Sequence, residues 1–330
     1  MFTGYRKLPQ IVSVLLLAAN GMASLNAQDE RTDEVPVAEA SPSLGYKEAV
    51  ILGLVEGLTE FLPISSTGHL ILANELLGLG DDTETPEGRK LKAAVDAYSI
   101  AIQGGAIAAI LFLYWRDVLS VLLGFLGRSR EGFLLGRNLV LAFLPAAVLG
   151  LLLNDWIEAR LFGPLPVAMA LLAGAPIMLG VEAWRKRRLK ALEAQGLSGV
   201  DKEPSSLSPV QAIFVGFMQS LAMWPGTSRS MMTISAGYLV GMGPVASARF
   251  SFLLGLITLG AASCYTMLKH GRSMAAALDA GPALLGLLVA ALSAALAVRW
   301  LVTYLSKHGL ALFAWYRVIV AIGIFTLLVV

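Results

Sequence analysis

The stretch EGLTEFLPISSTGHL, from Glu56 to Leu70, concentrates reactive side chains inside an apolar part of the chain. It contains two carboxylates, three consecutive hydroxyls and a histidine, with ILGLV before it and LILA overlapping its end. A charged side chain at bilayer depth costs several kcal/mol and is seldom kept without a partner or a task. These side chains therefore indicate a chemical site at membrane depth.

Ser66 and His69 form the candidate catalytic pair of this stretch. They are three residues apart, which on a helix places the hydroxyl and the imidazole on the same side. This is the usual arrangement of an activated nucleophile and its base. The sequence leaves open whether Ser66 attacks with His69 as base or His69 is itself the nucleophile. An isolated histidine in a membrane segment is often only a packed, hydrogen-bonded residue.

Glu56 and Glu60 lie four residues apart and share one face of a helix. Two carboxylates would repel an anionic substrate directly. We therefore expect them to hold a divalent cation, or one of them to be protonated or to orient a partner. Glu60 is predicted to be catalytic as well as a metal ligand, and Glu56 to be a metal ligand.

A second polar break, WPGTSRS at Trp224 to Ser230, supplies the cation that the first break lacks. Arg229 offers a planar fork of donors suited to phosphate. Each break also precedes a helix start, whose free N–H groups and positive dipole end favour an anion. We predict a polyanion site in which Arg229 acts with hydroxyls of both breaks, namely Ser65, Thr67, Thr227, Ser228 and Ser230.

Each break interrupts a pair of apolar helices that are too short to span a bilayer. In the first pair, Pro63 ends one helix, and Ser65, Ser66 and Thr67 are good caps for the next. Gly53 and Gly57 share a face and would let another backbone come close. This pattern predicts a re-entrant helical hairpin, and the same pattern around WPGTSRS predicts a second one.

Long apolar segments recur along the 330 residues, of which 56% are hydrophobic and 15% charged. This predicts an all-α polytopic membrane protein with six transmembrane helices plus two re-entrant hairpins. A net charge of +2 gives no indication of a nucleic-acid partner, and the single Cys264 excludes disulfides and thiolate zinc sites. The spans are expected at about 95–114, 138–153, 164–183, 246–267, 281–301 and 310–330.

The first 27 residues resemble a secretory signal peptide, with Arg6 and Lys7 before a short apolar run. An uncleaved extra helix is the alternative. Residues 28–43 indicate an acidic flexible linker, and the membrane domain is expected over 44–330. The basic cluster at 184–190 predicts a cytoplasmic segment. Counting spans from it predicts that the first hairpin enters from the periplasm and the second from the cytoplasm.

Three further expectations concern polar segments. Residues 116–137 are amphipathic and are expected at an interface. Residues 193–208 are expected to form a polar linker. Arg299, Lys307 and Arg317 are expected to snorkel at the inner interface.

The two hairpins can be aligned with each other, and three spans follow each. Gly53 then matches Gly216, and Glu56 matches Gln219. Two halves that enter from opposite faces predict an inverted repeat, with a site where the broken helices meet near the midplane. Few residues are identical, so chance is the alternative. The halves are about 44–190 and 205–330.

The stretches EGLTEFLPISSTGH and PGTSRS resemble the two signatures of the undecaprenyl-diphosphate phosphatases, the bacitracin-resistance proteins of bacteria. The resemblance extends from about Leu44 to the C terminus, including IQGGAI, FSFLLG and YRVIVA. It implies an enzyme of the bacterial inner membrane that removes the terminal phosphate of undecaprenyl diphosphate. That reaction recycles the lipid carrier for peptidoglycan. The resemblance also implies a periplasmic opening, a divalent cation such as Mg or Ca, and an interdigitated repeat.

Carried over by position, the family's functional residues fall on Glu56, Glu60, Ser65, Ser66, His69, Ser228 and Arg229. Where the family usually has a glycine after SRS, this chain has Met231 and then Met232, which predicts a narrower entrance to the second half-helix. The expected partners are a polyprenyl diphosphate lipid and the bilayer, and a homodimer is left open.

A transporter or flippase of polyprenyl phosphate is the alternative function, because inverted repeats with broken helices are typical of transporters. A carrier needs binding groups but no nucleophile and base, and the SSTGH stretch offers both. The lysine–arginine–proline signature of other lipid phosphatases does not occur in the sequence.

Overall fold

The computed structural model describes residues 44–79, 85–196 and 201–328, and most of these residues are helical. Over these ranges the chain forms eleven α-helices, and no β-strand occurs in them. The predicted signal segment, 1–27, and the acidic linker, 28–43, lie outside the described residues. The prediction of an all-α membrane protein is confirmed.

The first re-entrant hairpin consists of α1 (Tyr46–Thr59) and α2 (Ser66–Leu76). Pro63 lies in the non-helical connection, and the Ser65 hydroxyl caps α2 by accepting a hydrogen bond from the Gly68 N–H at 3.5 Å. At 1.5 Å per residue the two helices are about 21 and 17 Å long. Neither can cross a hydrocarbon core of about 30 Å.

The second hairpin has the same plan. It consists of α7 (Pro209–Ser220), a short 3₁₀ turn (Leu221–Met223) and α8 (Arg229–Leu239). The Ser228 hydroxyl caps α8 by accepting a hydrogen bond from the Met231 N–H at 3.3 Å. The two predicted hairpins are therefore present, and each second helix begins at the polar break.

Six helices of the described chain are long and apolar enough to cross a membrane. Several begin or end well beyond the predicted spans, because capping and charged residues extend them. Thr85, for example, caps the first of these helices by accepting from the Gly88 N–H at 3.0 Å. The six helices are α3 (Pro86–Leu113), α5 (Arg130–Leu161), α6 (Pro164–Ala194), α9 (Pro244–Ala277), α10 (Ala280–Leu305) and α11 (Ala311–Leu328).

Each hairpin packs against a span of the opposite half, so that the halves interlock. Helix α1 lies along α10, and α7 lies along α5. Glycines allow both approaches: a methyl group on Gly53 would lie 2.6 Å from the Gly286 carbonyl oxygen, and one on Gly216 would lie 2.4 Å from the Ala142 carbonyl oxygen. Gly53 and Gly216 are the aligned positions, so the packing agrees with the repeat found in the sequence.

Residues 116–137, predicted as one amphipathic segment, instead form two elements. Helix α4 (Trp115–Phe125) ends at a turn, and α5 then begins with Ser129 as its cap. Gly132 brings the two together, because a methyl group there would lie 1.8 Å from the Ser120 carbonyl oxygen. The second half of the segment is therefore the start of a membrane-crossing helix.

Residues 193–208, predicted as a polar linker, are partly fixed to the membrane domain. Helix α6 continues to Ala194. Beyond it, the Asn138 side-chain amide donates to the Pro204 carbonyl oxygen at 2.9 Å and to the Leu207 carbonyl oxygen at 3.2 Å. Leu207 is buried. This contact joins the connection between the two halves to the start of α5.

Candidate active site

Glu60 contacts the first residue of the second helix in each hairpin. Its Oε2 accepts a hydrogen bond of 2.6 Å from the Ser66 hydroxyl, and its Oε1 accepts one of 3.4 Å from Arg229 Nη2. Ser66 begins α2 and Arg229 begins α8. The two polar breaks predicted from the sequence therefore meet at one carboxylate.

Ser65 and Ser228 have the same unusual backbone conformation. Their φ angles are +71° and +74°, and they are the two non-glycine residues of the described chain with positive φ. A non-glycine residue in such a conformation costs about 1–3 kcal/mol, and strain of this kind is concentrated at functional sites. Both serines also cap a half-helix with their hydroxyls. Because the two serines share this conformation, the residues after them, Ser66 and Arg229, lie at equivalent positions in the two halves.

These residues line a polar cavity of about 180 Å³. Pockets for drug-sized ligands are about 300–1,000 Å³, so this cavity suits a small headgroup rather than a whole lipid. Gln103 of α3 and Leu259 of α9 also line it. Six of the predicted site residues line it: Glu60, Ser65, Ser66, Thr67, Ser228 and Arg229.

The Arg229 guanidinium is held in place by α9 and by an aromatic ring. Nη1 donates to the Ser251 carbonyl oxygen at 2.9 Å, and Cζ lies 5.4 Å from the centre of the Phe61 ring. Nε is buried and has no hydrogen-bond partner among the described residues. A rigid, largely desolvated guanidinium is well suited to binding phosphate oxygens.

The sequence predicted that His69 pairs with Ser66, but the structure does not show this pair. Its Nδ1 lies 2.7 Å from the Ser65 carbonyl oxygen, and its Nε2 lies 2.8 Å from the Tyr316 hydroxyl. A carbonyl can only accept, so we assign the proton to Nδ1 and let Tyr316 donate to Nε2. The Ser66 hydroxyl instead donates to Glu60. The carboxylate thus occupies the place expected for the imidazole.

Two predicted binding residues have other contacts. The Ser230 hydroxyl is buried and donates to the Leu62 carbonyl oxygen at 2.6 Å, which ties α8 to the first break. Thr227 is buried, and its N–H donates to the Trp224 carbonyl oxygen at 3.1 Å. Neither belongs to the cavity wall, whereas Thr67 and Ser228 do.

Comparison with known proteins decides the family. The family model described as bacitracin resistance protein BacA matches residues 49–323. The chain belongs to this family.

Relatives of the family agree over most of their length. A protein named undecaprenyl-diphosphatase from Polaromonas naphthalenivorans (strain CJ2) is 43% identical over 280 residues, which cover 85% of this chain and 93% of that protein. A protein of the same name from Sorangium cellulosum (strain So ce56) is 43% identical over 273 residues, 82% of each chain. The resemblance seen in the two signatures is therefore confirmed across the membrane domain.

Arg317 of this bacitracin-resistance family protein was expected to snorkel at the inner interface, but it lies in the interior. Its side chain is fully buried beside the second break, where it donates to backbone carbonyls. Nη2 lies 3.1 Å from the Gly226 oxygen and 3.0 Å from the Ala170 oxygen, and Nε lies 3.3 Å from the Leu171 oxygen. Arg317 thus clamps the loop at Gly226, which forms one wall of the cavity, against α6.

Tyr316 and Gln103 are two further residues that sequence reasoning missed. Tyr316 is partner to His69, and Gln103 lines the cavity and accepts a hydrogen bond from the Ser263 hydroxyl at 3.1 Å. Both lie in stretches that carried the family resemblance, so the resemblance was the available signal. Their roles depend on contacts across 247 and 160 residues, which no local pattern reveals.

Glu56 lies one turn before Glu60 but is 2% exposed and does not line the cavity. Over the described residues, no group of three or more His, Cys, Asp or Glu side chains could hold a metal ion. At the cavity itself, hard oxygen donors come from Glu60, the neighbouring hydroxyls and the Gln103 amide. Such a set suits a cation that takes its other ligands from a substrate and water.

Met231 and Met232 do not narrow the cavity, contrary to the expectation. Both are buried in a hydrophobic cluster with Phe61 and Phe252, and neither lines the cavity. They follow Ser230 on α8, and the turn of that helix directs them into the core. The departure from the family's usual glycine therefore affects the packing of this hydrophobic cluster and not the cavity wall.

Proposed function

We propose that this protein is an undecaprenyl-diphosphatase, which hydrolyses undecaprenyl diphosphate to undecaprenyl phosphate and phosphate. The observation that carries the proposal is the meeting of Glu60, Ser66 and Arg229 at one small polar cavity. Relatives that are 43% identical over most of the chain carry the same name. Membership of the bacitracin-resistance family connects the reaction to recycling of the cell-wall lipid carrier.

Ser66 is the nucleophile in the mechanism that the geometry supports. Its hydroxyl gives its proton to Glu60 Oε2 as Oγ attacks the terminal phosphorus. The bond from that phosphorus to the bridging oxygen breaks, and undecaprenyl phosphate leaves with the bonding electrons. The proton on Glu60 passes to the departing undecaprenyl phosphate, which restores the carboxylate. Water then attacks the phosphorus of the phosphoserine and gives a proton to Glu60. The bond from phosphorus to Ser66 Oγ breaks, and Glu60 returns its proton to Oγ as phosphate leaves.

Arg229 and the half-helix N termini stabilise the charge that develops during both steps. The guanidinium is preorganised by Ser251 and Phe61, so no rearrangement is needed as negative charge moves to the bridging oxygen. Free N–H groups at the starts of α2 and α8 add positive potential. Ser65, Thr67 and Ser228 complete the lining that would contact the diphosphate.

His69 has a structural role in this proposal and does not attack the substrate. Both ring nitrogens have partners, Ser65 and Tyr316, so neither is presented to a phosphorus atom. Its contact with the Ser65 carbonyl stabilises the strained turn that positions Ser66. This favours Ser66 over His69 as the nucleophile.

A divalent cation, Mg²⁺ or Ca²⁺, fits the cavity's oxygen donors. Glu60, the cavity hydroxyls and the Gln103 amide oxygen would hold it together with the substrate. Bound there, it would neutralise charge on the diphosphate. Glu56 is buried and does not line the cavity. It would therefore influence the site only through its neighbour Glu60, one helical turn away.

The protein is a multi-pass membrane protein, and we place it in the bacterial inner membrane with the cavity reached from the periplasmic side. The basic cluster at the end of α6 supports this orientation, since such clusters stay in the cytoplasm. The homodimer stays a prediction.

Phosphate release by the purified protein in detergent tests this function. Undecaprenyl diphosphate should release phosphate in a reaction that a chelator suppresses and added Mg²⁺ restores. Ser66→Ala should lower the rate by at least about 10²-fold, whereas Ser99→Ala, on α3 outside the cavity, should not. A protein that binds the lipid diphosphate but releases no phosphate would instead be a carrier, and the proposal would be wrong.

A further inference from the structure

A second cavity, of about 420 Å³, lies between α5 and α9. Its middle is lined by small side chains, among them Ala146, Ala147, Gly150, Ala261 and Ala262. Small residues usually let membrane helices pack closely. Here they leave a groove, which we call the α5–α9 groove.

The α5–α9 groove has one apolar body and one polar end. The N-terminal parts of helices α5 and α9 lie beside residues 201–207, where Asn138 contacts Pro204 and Gly243 lies next to Asp201. They therefore run in the same direction, and the charged residues of the groove, Asp155 and Lys269, lie together at its far end. The Lys269 amine lies 6.0 Å from the centre of the Tyr265 ring, a combination typical of a membrane interface. The body of the groove thus lies at the depth of lipid tails.

The groove adjoins the active-site cavity. Thr258 lines the groove, and its neighbour Leu259 lines the cavity. On the other side, Ala222 lines the cavity, and the sulfur of the next residue, Met223, lies 3.9 Å from where a methyl group on Gly150 would be. Residues that are consecutive in the chain therefore connect the walls of the two spaces.

We propose that the α5–α9 groove binds the isoprene units nearest to the diphosphate of the substrate. This proposal rests on the proposed function. The polar cavity accommodates only a headgroup, so the polyprenyl chain must leave it through an apolar exit, and the groove is apolar, adjoining and at the right depth. Its volume fits the first part of a long chain, and the remainder stays in the bilayer. The groove therefore contributes to KM rather than to the chemical step.

Filling the groove tests this inference. Ala147→Phe on α5 and Ala262→Phe on α9 each place a ring in it, and two variants from different helices guard against one that fails to fold. Val148→Phe is the matched control, because Val148 is 53% exposed on the neighbouring face of α5 and does not line the groove. Folding is checked by thermal unfolding in detergent. We expect KM for undecaprenyl diphosphate to rise at least about tenfold in both groove variants, with kcat and the control unchanged.

Either of two kinetic results overturns the proposal: a KM within about twofold of the parent value in folded variants, or a lower kcat with KM unchanged. A direct readout is photocrosslinking with a benzophenone-bearing farnesyl diphosphate, which should label residues of the groove. Undecaprenyl phosphate should compete with that labelling, and phosphatidylethanolamine should not. Competition by the phospholipid would mean that the groove holds ordinary membrane lipid. If the parent protein releases no phosphate, the proposed function is wrong. The labelling of the groove does not depend on phosphate release, so the two failures can be distinguished.

Discussion

The Ser66 hydroxyl lies 2.6 Å from the Glu60 carboxylate, across the break that Pro63 introduces between α1 and α2. The same carboxylate is 3.4 Å from Arg229, which is 169 residues away in the chain. Glu60 therefore connects the nucleophile of one hairpin to the anion-binding cation of the other. This contact makes two half-sites into one.

Arg229→Lys should lose most activity although the charge is kept. Arg229 uses one arm of its fork for the Ser251 carbonyl and another for Glu60, and a single ammonium cannot replace both while binding phosphate. Loss of one such preorganised donor lowers kcat by about 10²–10³-fold. Phosphate release from undecaprenyl diphosphate is the measurement, with Arg299→Lys on α10 as the exposed control. Near-normal turnover of Arg229→Lys would mean that Arg229 acts through charge alone.

Tyr316→Phe should lower kcat by roughly three- to tenfold, because a hydrogen bond worth about 0.5–1.5 kcal/mol no longer orients His69. His69→Gln should have a larger effect, since it also removes the contact with the Ser65 carbonyl. The double variant should be no worse than His69→Gln, because the two residues act as one unit. Additive losses would show that Tyr316 contributes independently of His69.

Arg317→Met should destabilise the protein as well as inactivate it. The change leaves carbonyls of Ala170, Leu171 and Gly226 without their donor, and a buried unsatisfied group costs about 1–3 kcal/mol. Thermal unfolding in detergent should show a lower midpoint by several degrees, and Arg299→Met should show none of this.

Gly174→Ala gives an independent check of the Arg317 clamp. The added methyl group would lie 2.2 Å from Arg317 Nη2, so the guanidinium must move while its charge and donors remain. The expected result is a loss of activity similar to that of Arg317→Met. Parent-like activity and stability in both variants would contradict the clamp.

The general architecture could be predicted from the sequence because membrane helices are marked by apolar length and breaks by proline and capping residues. Gly53 indicates the close packing of the first hairpin, and proline and hydroxyl residues mark both polar breaks. The partner of Ser66 could not be predicted in the same way. Helical spacing favoured His69, but the positive φ of Ser65 turns the start of α2 and brings Ser66 to Glu60.

Arg317 shows a second limit of sequence reasoning. A lone arginine in an apolar helix usually extends its guanidinium to an interface, and nothing local distinguishes Arg317 from Arg299. Only the fold brings the Gly226 loop and α6 within reach of its guanidinium. The role of a buried polar residue depends on partners that are distant in sequence.

Reporter fusions test the orientation of the protein. A reporter fused after Gln195 should give a cytoplasmic signal, because it follows the basic end of α6. A reporter inserted within residues 81–84 should give a periplasmic signal. The reverse pattern would place the entrance of the first hairpin on the cytoplasmic side and contradict the proposed route of the substrate.

Glu60 activates Ser66 in this mechanism, and phosphate release by purified Glu60→Gln protein tests that role. Glutamine keeps the size of the side chain and can still accept from Ser66, but it cannot take up the proton. Loss of a general base lowers the rate by about 10²–10⁴-fold. We predict a folded Glu60→Gln protein, with a parent-like unfolding midpoint, whose phosphate release falls in that range while Glu56→Gln is affected less. A Glu60→Gln protein that releases phosphate at close to the parent rate would show that Glu60 is not the base for Ser66.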